Sequence, residues 1–110
     1  MTRMWLVDPE LLCDRHLLGE HNELHKLQGH IEKGNIAVVR GHAEKGQVDT
    51  SKIEERHDEL AEEMERRGFD HQSPLDYEDE LEVGSIDVEE NRKELEERCE
   101  ECRERIRSRG

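Results

Sequence analysis

Aromatic side chains are nearly missing from this 110-residue chain: Trp5, Phe69 and Tyr77 are the whole set. Hydrophobic residues reach only 31%, against 43% charged, and the mean hydropathy is -1.13. A large core is therefore excluded, and one domain spanning residues 1–110 is the expectation for this length. No run of about 18 apolar residues occurs, which excludes a membrane-spanning helix. The N-terminus lacks the basic-then-apolar pattern of a secretory signal, so a cytoplasmic location is expected. Lysine is scarce as well, with five against twelve arginines and thirty aspartates plus glutamates. A formal net charge of -13 disfavours polyanions, because nonspecific nucleic-acid affinity is built from Lys and Arg. The same acidity has a second reading, adaptation to concentrated salt, which screens long-range repulsion. With so little apolar mass, stability calls for a helix-built core helped by a metal, salt or oligomerisation.

The charge is unevenly spread. Residues 1–50 carry six Lys/Arg against eight Asp/Glu, and residues 51–110 carry eleven against twenty-two. Five of the seven histidines also lie in the first half.

Periodicity predicts three helices and no strand of useful length. Asp8-Pro9-Glu10 reads as the start of the first, with an acidic N-cap and Pro at the first helical position. Leu17, Leu24, Leu27 and Ile31 form its apolar stripe, and Gly34-Asn35 ends it. Residues 35–49 read as a short connector in which Ile36 to Val39 make a brief buried turn. Thr50 or Ser51 caps the second helix, whose stripe is Ile53, Leu60, Ala61 and Met64. Arg66 and Arg67 suit its C-terminal dipole, and Gly68 stops it, with Phe69 folding back. Residues 70–86, with Pro74, Gly84 and many acidic positions, read as a surface loop. Asp87 caps the third helix, whose stripe is Val88, Leu95, Cys99, Cys102 and Ile106. The fold class is all-α: a compact three-helix single domain with its N-terminal segment packed near the first helix.

The opening residues carry the chemistry. Removal of Met1, expected before a small residue such as Thr2, leaves a free α-amine. Such an amine has a pKa near 7.7–8.0 against about 10.4 for lysine. It attacks an electrophilic carbon at neutral pH without a buried-lysine environment. A threonine at position two means little alone. The segment MTRMWLVDPELLCDRHLLGEHNELHKLQGHIEKG supplies the context: Met1-Thr2-Arg3, Leu12, Asp14, His16-Leu17, Glu20, Glu23-Leu24 and Gly29. With Gly41-His42 and HDELAEEMERRGF at 57–69, it resembles the pyrimidine-dimer DNA glycosylases of phage endonuclease V type. LLCxxHLLGEHxELH (Leu11 to His25) and EEMxxRGFxHxSP (Glu62 to Pro74) resemble a group of short phage and microbial relatives even more strongly.

The resemblance implies a DNA repair glycosylase with AP lyase activity on cyclobutane pyrimidine dimers in duplex DNA, with no cofactor. It implies that the Thr2 amine attacks the sugar C1′ and forms an imine. Glu23 is implied as the carboxylate that stabilises the cationic intermediate and moves a proton toward β-elimination. Arg3 is implied as a contact to a phosphate flanking the lesion. His16, Glu20 and Glu23 fall on neighbouring turns and share a face; periodicity alone makes Glu23 an ordinary solvated carboxylate. Candidate DNA contacts are Arg3, Arg15, His16, Lys26 and Arg40, with Arg66 and Arg67 behind them. Each is alternatively a solvated charge or, for His16, a packed and hydrogen-bonded side chain. The chain departs from the phage enzyme at Asn22 and Lys26, which replace arginines, and in lacking its basic, aromatic-rich C-terminal tail.

Two other constellations stand out. Cys13-Asp-Arg-His16 is a CxxH and Cys99-Glu-Glu-Cys102 a CxxC. If the first and third helices bring them together, Cys13, His16, Cys99 and Cys102 make a tetrahedral zinc set. The competing reading is that the cysteines pack as small hydrophobes; a Cys99–Cys102 disulfide is disfavoured by compartment and geometry. His21 and His25 can clip a metal, yet HNELH lacks the HExxH order, which excludes a zinc peptidase. Glu54, Glu55, Glu62, Glu63, Glu89 and Glu90 read as solvated faces. The expected partner is damaged DNA, and the expected state is a monomer. Two rivals remain: a non-enzymatic acidic helical interaction module using the third-helix stripe, and a lyase restricted to abasic sites.

Overall fold

The structure, a computed structural model, describes residues 3–69, 75 and 77–109, with the backbone alone at 109. The described residues are all-α, with five helices where periodicity suggested three. They are α1 (Asp14–Glu32), α2 (Ile36–Glu44), α3 (Ile53–Arg66), α4 (Val88–Arg98) and α5 (Glu100–Arg109).

Three departures from the sequence reading have local causes. Asp8 does cap a helical turn, accepting from the Glu10 amide, but that turn is a 3-10 piece, Pro9–Leu11. The long helix begins after it, with Cys13 in extended geometry as N-cap. The connector after Gly34 forms a full helix, α2, which buries Val39 and Ala43. The third helix breaks at Cys99, whose extended backbone (φ -124°, ψ 111°) separates α4 from α5. Neither Gly nor Pro marks that break.

Other boundaries follow the caps. Asp87 accepts from the Glu90 amide and starts α4. Gly68, at φ +91°, ends α3, and Phe69 N–H donates back to the Met64 carbonyl at 2.9 Å. The second helix is capped by Asp49, one residue earlier than expected, through a 3-10 turn Thr50–Lys52.

α1 packs against α3 and α2, while α5 closes on the Pro9–Leu11 turn. Leu17, Leu24, Leu27, Ile53, Leu60, Met64, Leu95, Cys102 and Ile106 meet in one core. The N-terminal segment adds Met4 and Val7, both fully buried. Backbone and side chains tie that segment down: Met4 N–H donates to Gln47 O at 2.8 Å. The Asn91 side chain on α4 donates to the Met4 and Trp5 carbonyls.

Within the stretch read as a surface loop, residues 70–74 and 76 lie outside the described residues. The described remainder has no helix but packs closely: Leu75 is buried, and Tyr77, Leu81, Val83 and Ile86 lie on the core. Asp79 organises it, accepting from the Thr50 and Tyr77 hydroxyls and from the Leu81 and Glu82 amides. Burial alone would raise the Asp79 carboxyl pKa; these donors outweigh it and hold the group below its ordinary range. The same site pushes the Tyr77 hydroxyl up, through burial and then the Asp79 charge it faces.

Candidate active site

α1 and the N-terminal segment enclose a cavity of about 180 Å³, lined by Arg3, Trp5, Arg15, His16, Gly19, Glu20 and Glu23. The i, i+3 and i, i+4 spacing of a helix puts His16, Glu20 and Glu23 on this wall, as the sequence spacing predicts. Gly19 meets nothing within 4 Å where a side chain would begin, so the helix surface is open there.

Glu20 and Glu23 have different surroundings. Glu20 is fully engaged: its oxygens accept from Arg56 Nε at 2.6 Å and Nη2 at 3.0 Å, in a bidentate pair buried between α1 and α3. Glu23 has one oxygen 3.5 Å from Lys26 Nζ. Its other oxygen, Oε2, is buried and has no hydrogen-bond partner among the described residues. A buried carboxylate oxygen left unpaired is costly, and such groups are retained where chemistry uses them.

Arg3 is held rather than free. It donates to Glu94 and, at 2.7 Å, to Asn91 Oδ1, and its guanidinium lies 4.0 Å from the Trp5 ring centroid. Its Nε is buried and unpartnered among the described residues. Thr2, which bears the amine implied as nucleophile, lies outside the described residues.

Of the other candidate DNA contacts, Arg15 and Lys26 are exposed on α1. Arg40 is exposed on α2 beside a separate cavity with Ala43, Glu44, Val83 and Gly84, and does not line the Glu23 site. Arg66, which is exposed, and Arg67, which is half-buried, are both engaged in ion pairs. Arg66 pairs with Glu10 and Glu63, and Arg67 pairs with Glu63 and Asp14 and donates to the Pro9 carbonyl. Glu63 is accordingly buried, which corrects its reading as part of a solvated face. The other acidic positions named with it, Glu54, Glu55, Glu62, Glu89 and Glu90, are exposed.

His16 sits half-buried, with its ring edge-on to Trp5 at 5.8 Å between centroids. Burial lowers its pKa below the ordinary imidazole value, the Arg15 charge lowers it further, and Glu101 only partly opposes. Its Nδ1 lies 3.1 Å from Cys13 Sγ and 3.6 Å from Cys102 Sγ. Cys99 Sγ lies 3.8 Å from Cys13 Sγ. The CxxH and CxxC motifs thus meet, and all four donor atoms fall within 4.8 Å of one another. Burial would raise the Cys99 thiol pKa, but donors from Cys102, Cys13 and the Glu101 amide bring it below its ordinary value. Burial pushes Cys102 up to about 12.

A second set of donors, His21, His25 and His57, joins α1 to α3, with His21 Nε2 3.1 Å from His57 Nε2. His57 and Arg56 lie on the buried face of α3 between Ile53 and Leu60. Sequence reasoning overlooked both, although their three- and four-residue offsets from Ile53 and Leu60 place them on the apolar stripe. It also overlooked Asn91 and Glu94, whose partners lie almost the whole chain away.

The model of the family described as pyrimidine dimer DNA glycosylase matches residues 2–77. The chain belongs to this family, and the matched stretch contains every residue lining the Glu23 cavity. Neither the curated proteins nor the solved structures give a match. Family membership makes the chain a DNA repair glycosylase by class, with DNA as its substrate. Among the described residues, no helix is long and apolar enough to cross a membrane.

Proposed function

We propose that the chain excises cyclobutane pyrimidine dimers from duplex DNA and then nicks the strand as an AP lyase, through an imine on the Thr2 amine. The observation that supports this reading is the Glu23 Oε2 atom, unpartnered among the described residues, in a cavity also lined by Arg3, which follows Thr2 in the sequence.

The chemistry balances with these groups alone. The neutral amine attacks C1′, and the C1′–N bond breaks, its electron pair leaving with the base. The attached nitrogen gives up one proton, which passes to O4′ as the C1′–O4′ bond breaks and the nitrogen lone pair forms C1′=N; the product is a protonated imine with a free 4′ hydroxyl, and the departed base takes its proton from water. The imine acidifies C2′–H; removal of that proton expels the 3′ phosphate by β-elimination, and water then releases the enzyme. Glu23 suits two of these tasks, opposing the iminium charge and carrying the proton, because one of its oxygens is not already committed. Glu20 cannot substitute for it, since both its oxygens are taken by Arg56. Arg3 acts chiefly by position: with Glu94 and Asn91 it anchors the start of the chain.

Borohydride reduction tests the scheme. The expected result is covalent trapping of the protein on dimer-containing and abasic duplexes. An extra residue before Thr2 abolishes trapping, and Glu23→Gln abolishes nicking with an unchanged circular dichroism spectrum. Trapping that survives the extra residue removes Thr2 from the mechanism, and nicking that survives Glu23→Gln removes Glu23. Trapping on abasic DNA alone leaves a lyase without glycosylase activity, and no trapping at any salt leaves a binding module.

A further inference from the structure

We propose that Cys13, His16, Cys99 and Cys102 form a structural zinc site that fastens α1 to the α4–α5 junction. Four features of the structure support it. First, the donor atoms have the spacing of a tetrahedron. Zinc with Zn–S of about 2.3 Å and Zn–N of about 2.0–2.1 Å separates its sulfurs by about 3.8 Å, and sulfur from nitrogen by about 3.5 Å. Cys13 Sγ and Cys99 Sγ are 3.8 Å apart, and Cys102 Sγ and His16 Nδ1 are 3.6 Å apart. The Cys13–His16 contact, at 3.1 Å, needs only a few tenths of an ångström of opening.

Second, the sulfurs are supplied with backbone donors, as thiolates require. Cys13 N–H points to Cys102 Sγ at 3.3 Å, and Cys102 N–H to Cys99 Sγ at 3.4 Å. Third, the main chain bends to make the set. The break at Cys99 between α4 and α5 has no Gly or Pro to cause it, and it presents Cys99 and Cys102 to the first turn of α1. Cysteines serving only as small hydrophobes need no imidazole nitrogen among them. All three thiols are free, and their separation far exceeds a disulfide bond. Fourth, there is a way in: an open depression of about 440 Å³ reaches Cys13 past Asp14, Glu101, Glu104, Arg105 and Ser108, where three carboxylates outnumber the one guanidinium.

Three thiolates and one imidazole, all from protein, select zinc and leave no open coordination position, so the role is structural. Loading releases the thiol protons to solvent as the Zn–S bonds form. Cys99 and Cys102 lie beyond the family-matched residues 2–77, so the C-terminal helices complete a site begun within the family segment. Metal on His16 Nδ1 leaves the ring proton on Nε2. His16 then serves the Glu23 cavity as a fixed donor and cannot act as a base.

The full-length chain, produced with zinc sulfate and dialysed against metal-free buffer, is expected to retain one equivalent of zinc. Replacement by cobalt(II) should give thiolate-to-metal charge transfer and the intense visible bands of a tetrahedral site. Cys99→Ser/Cys102→Ser should lose both. Because that variant can fail to fold, thiol titration of the wild-type chain provides a second reading: the cysteines should resist a disulfide reagent until a chelator is added. Absence of zinc, cobalt bound without thiolate charge transfer (as at His21, His25 and His57), or thiols equally reactive with and without chelator would each overturn the site. None of these measurements depends on DNA cleavage, so they stand apart from the outcome for Thr2 and Glu23.

Discussion

Changing Arg56 to methionine removes the partner of a carboxylate whose side chain has no exposed surface. Glu20 then keeps its burial between α1 and α3 without the two charge-assisted hydrogen bonds, at 2.6 and 3.0 Å, that offset desolvation. Breaking a buried ion pair from one side costs about 3–5 kcal/mol, whereas domains of this kind have about 5–15 kcal/mol in total. The single substitution should therefore consume about a fifth or more of the folding free energy. Replacing both partners together, as Glu20→Leu/Arg56→Met, leaves no orphaned charge and should recover most of the loss. Urea unfolding followed by far-ultraviolet circular dichroism across the double-mutant cycle measures each step. A loss below about 1 kcal/mol for Arg56→Met, the range of exposed surface pairs, would refute the reasoning. The stable double variant then asks a functional question: with the Glu20 wall apolar, any fall in nicking reports the cavity rather than the fold.

Three further outcomes are expected. Gly84→Ala should destabilise by about 1–3 kcal/mol or more, read from the urea midpoint. Gly84 is at φ +92°, and its Cβ would fall 1.9 Å from the Val48 carbonyl oxygen, a backbone atom that cannot swing away. Asp79→Asn should flatten the acid side of the stability profile. The folded-state pKa is held below the unfolded value of about 3.9, so the contribution is complete above that pH and lost as pH falls through the folded value. Urea midpoints from pH 6 to pH 3 check it, and parallel wild-type and variant profiles would contradict it. Arg15→Ala should weaken binding to an abasic-analogue duplex and reduce the slope of log affinity against log salt by about 0.9, the share of one phosphate contact. An unchanged slope in fluorescence anisotropy makes Arg15 a solvated charge.

The cavity wall was readable from sequence because helical spacing alone puts His16, Glu20 and Glu23 together. What set Glu20 apart from Glu23 was not readable, since it depends on Arg56 arriving from α3 at a distance of 36 residues. Capping signals behaved similarly. Asp87 and Gly68 act locally and mark their boundaries, but α2 forms despite its Val-Val pair and Gly41 because packing beside α1 outweighs propensity. The break at Cys99 has no local signal at all. The CxxC was legible both as a partner for Cys13 and His16 and as two positions on an apolar stripe, and the stripe spacing carried the expected helix straight through Cys99.

The division of positive charge explains how so acidic a chain can present a face to DNA. Arg3, Arg56 and Arg67 are largely buried on Glu94, Glu20 and Glu63, the exposed Arg66 also pairs with Glu63, and together they join elements around a thin apolar core. The exposed cations of the first half, Arg15, Lys26, Lys33, Arg40 and Lys45, lie on or directly after α1 and α2, whereas Glu89, Glu90, Glu97, Glu100 and Glu101 are exposed on α4 and α5. Each internal arginine neutralises a carboxylate that would otherwise repel a phosphate. If the proposed function holds, affinity is expected to come from a few contacts beside the cavity rather than from net charge, and concentrated salt, by shortening the reach of the distant carboxylates, is expected to cost it less than it costs a strongly basic enzyme.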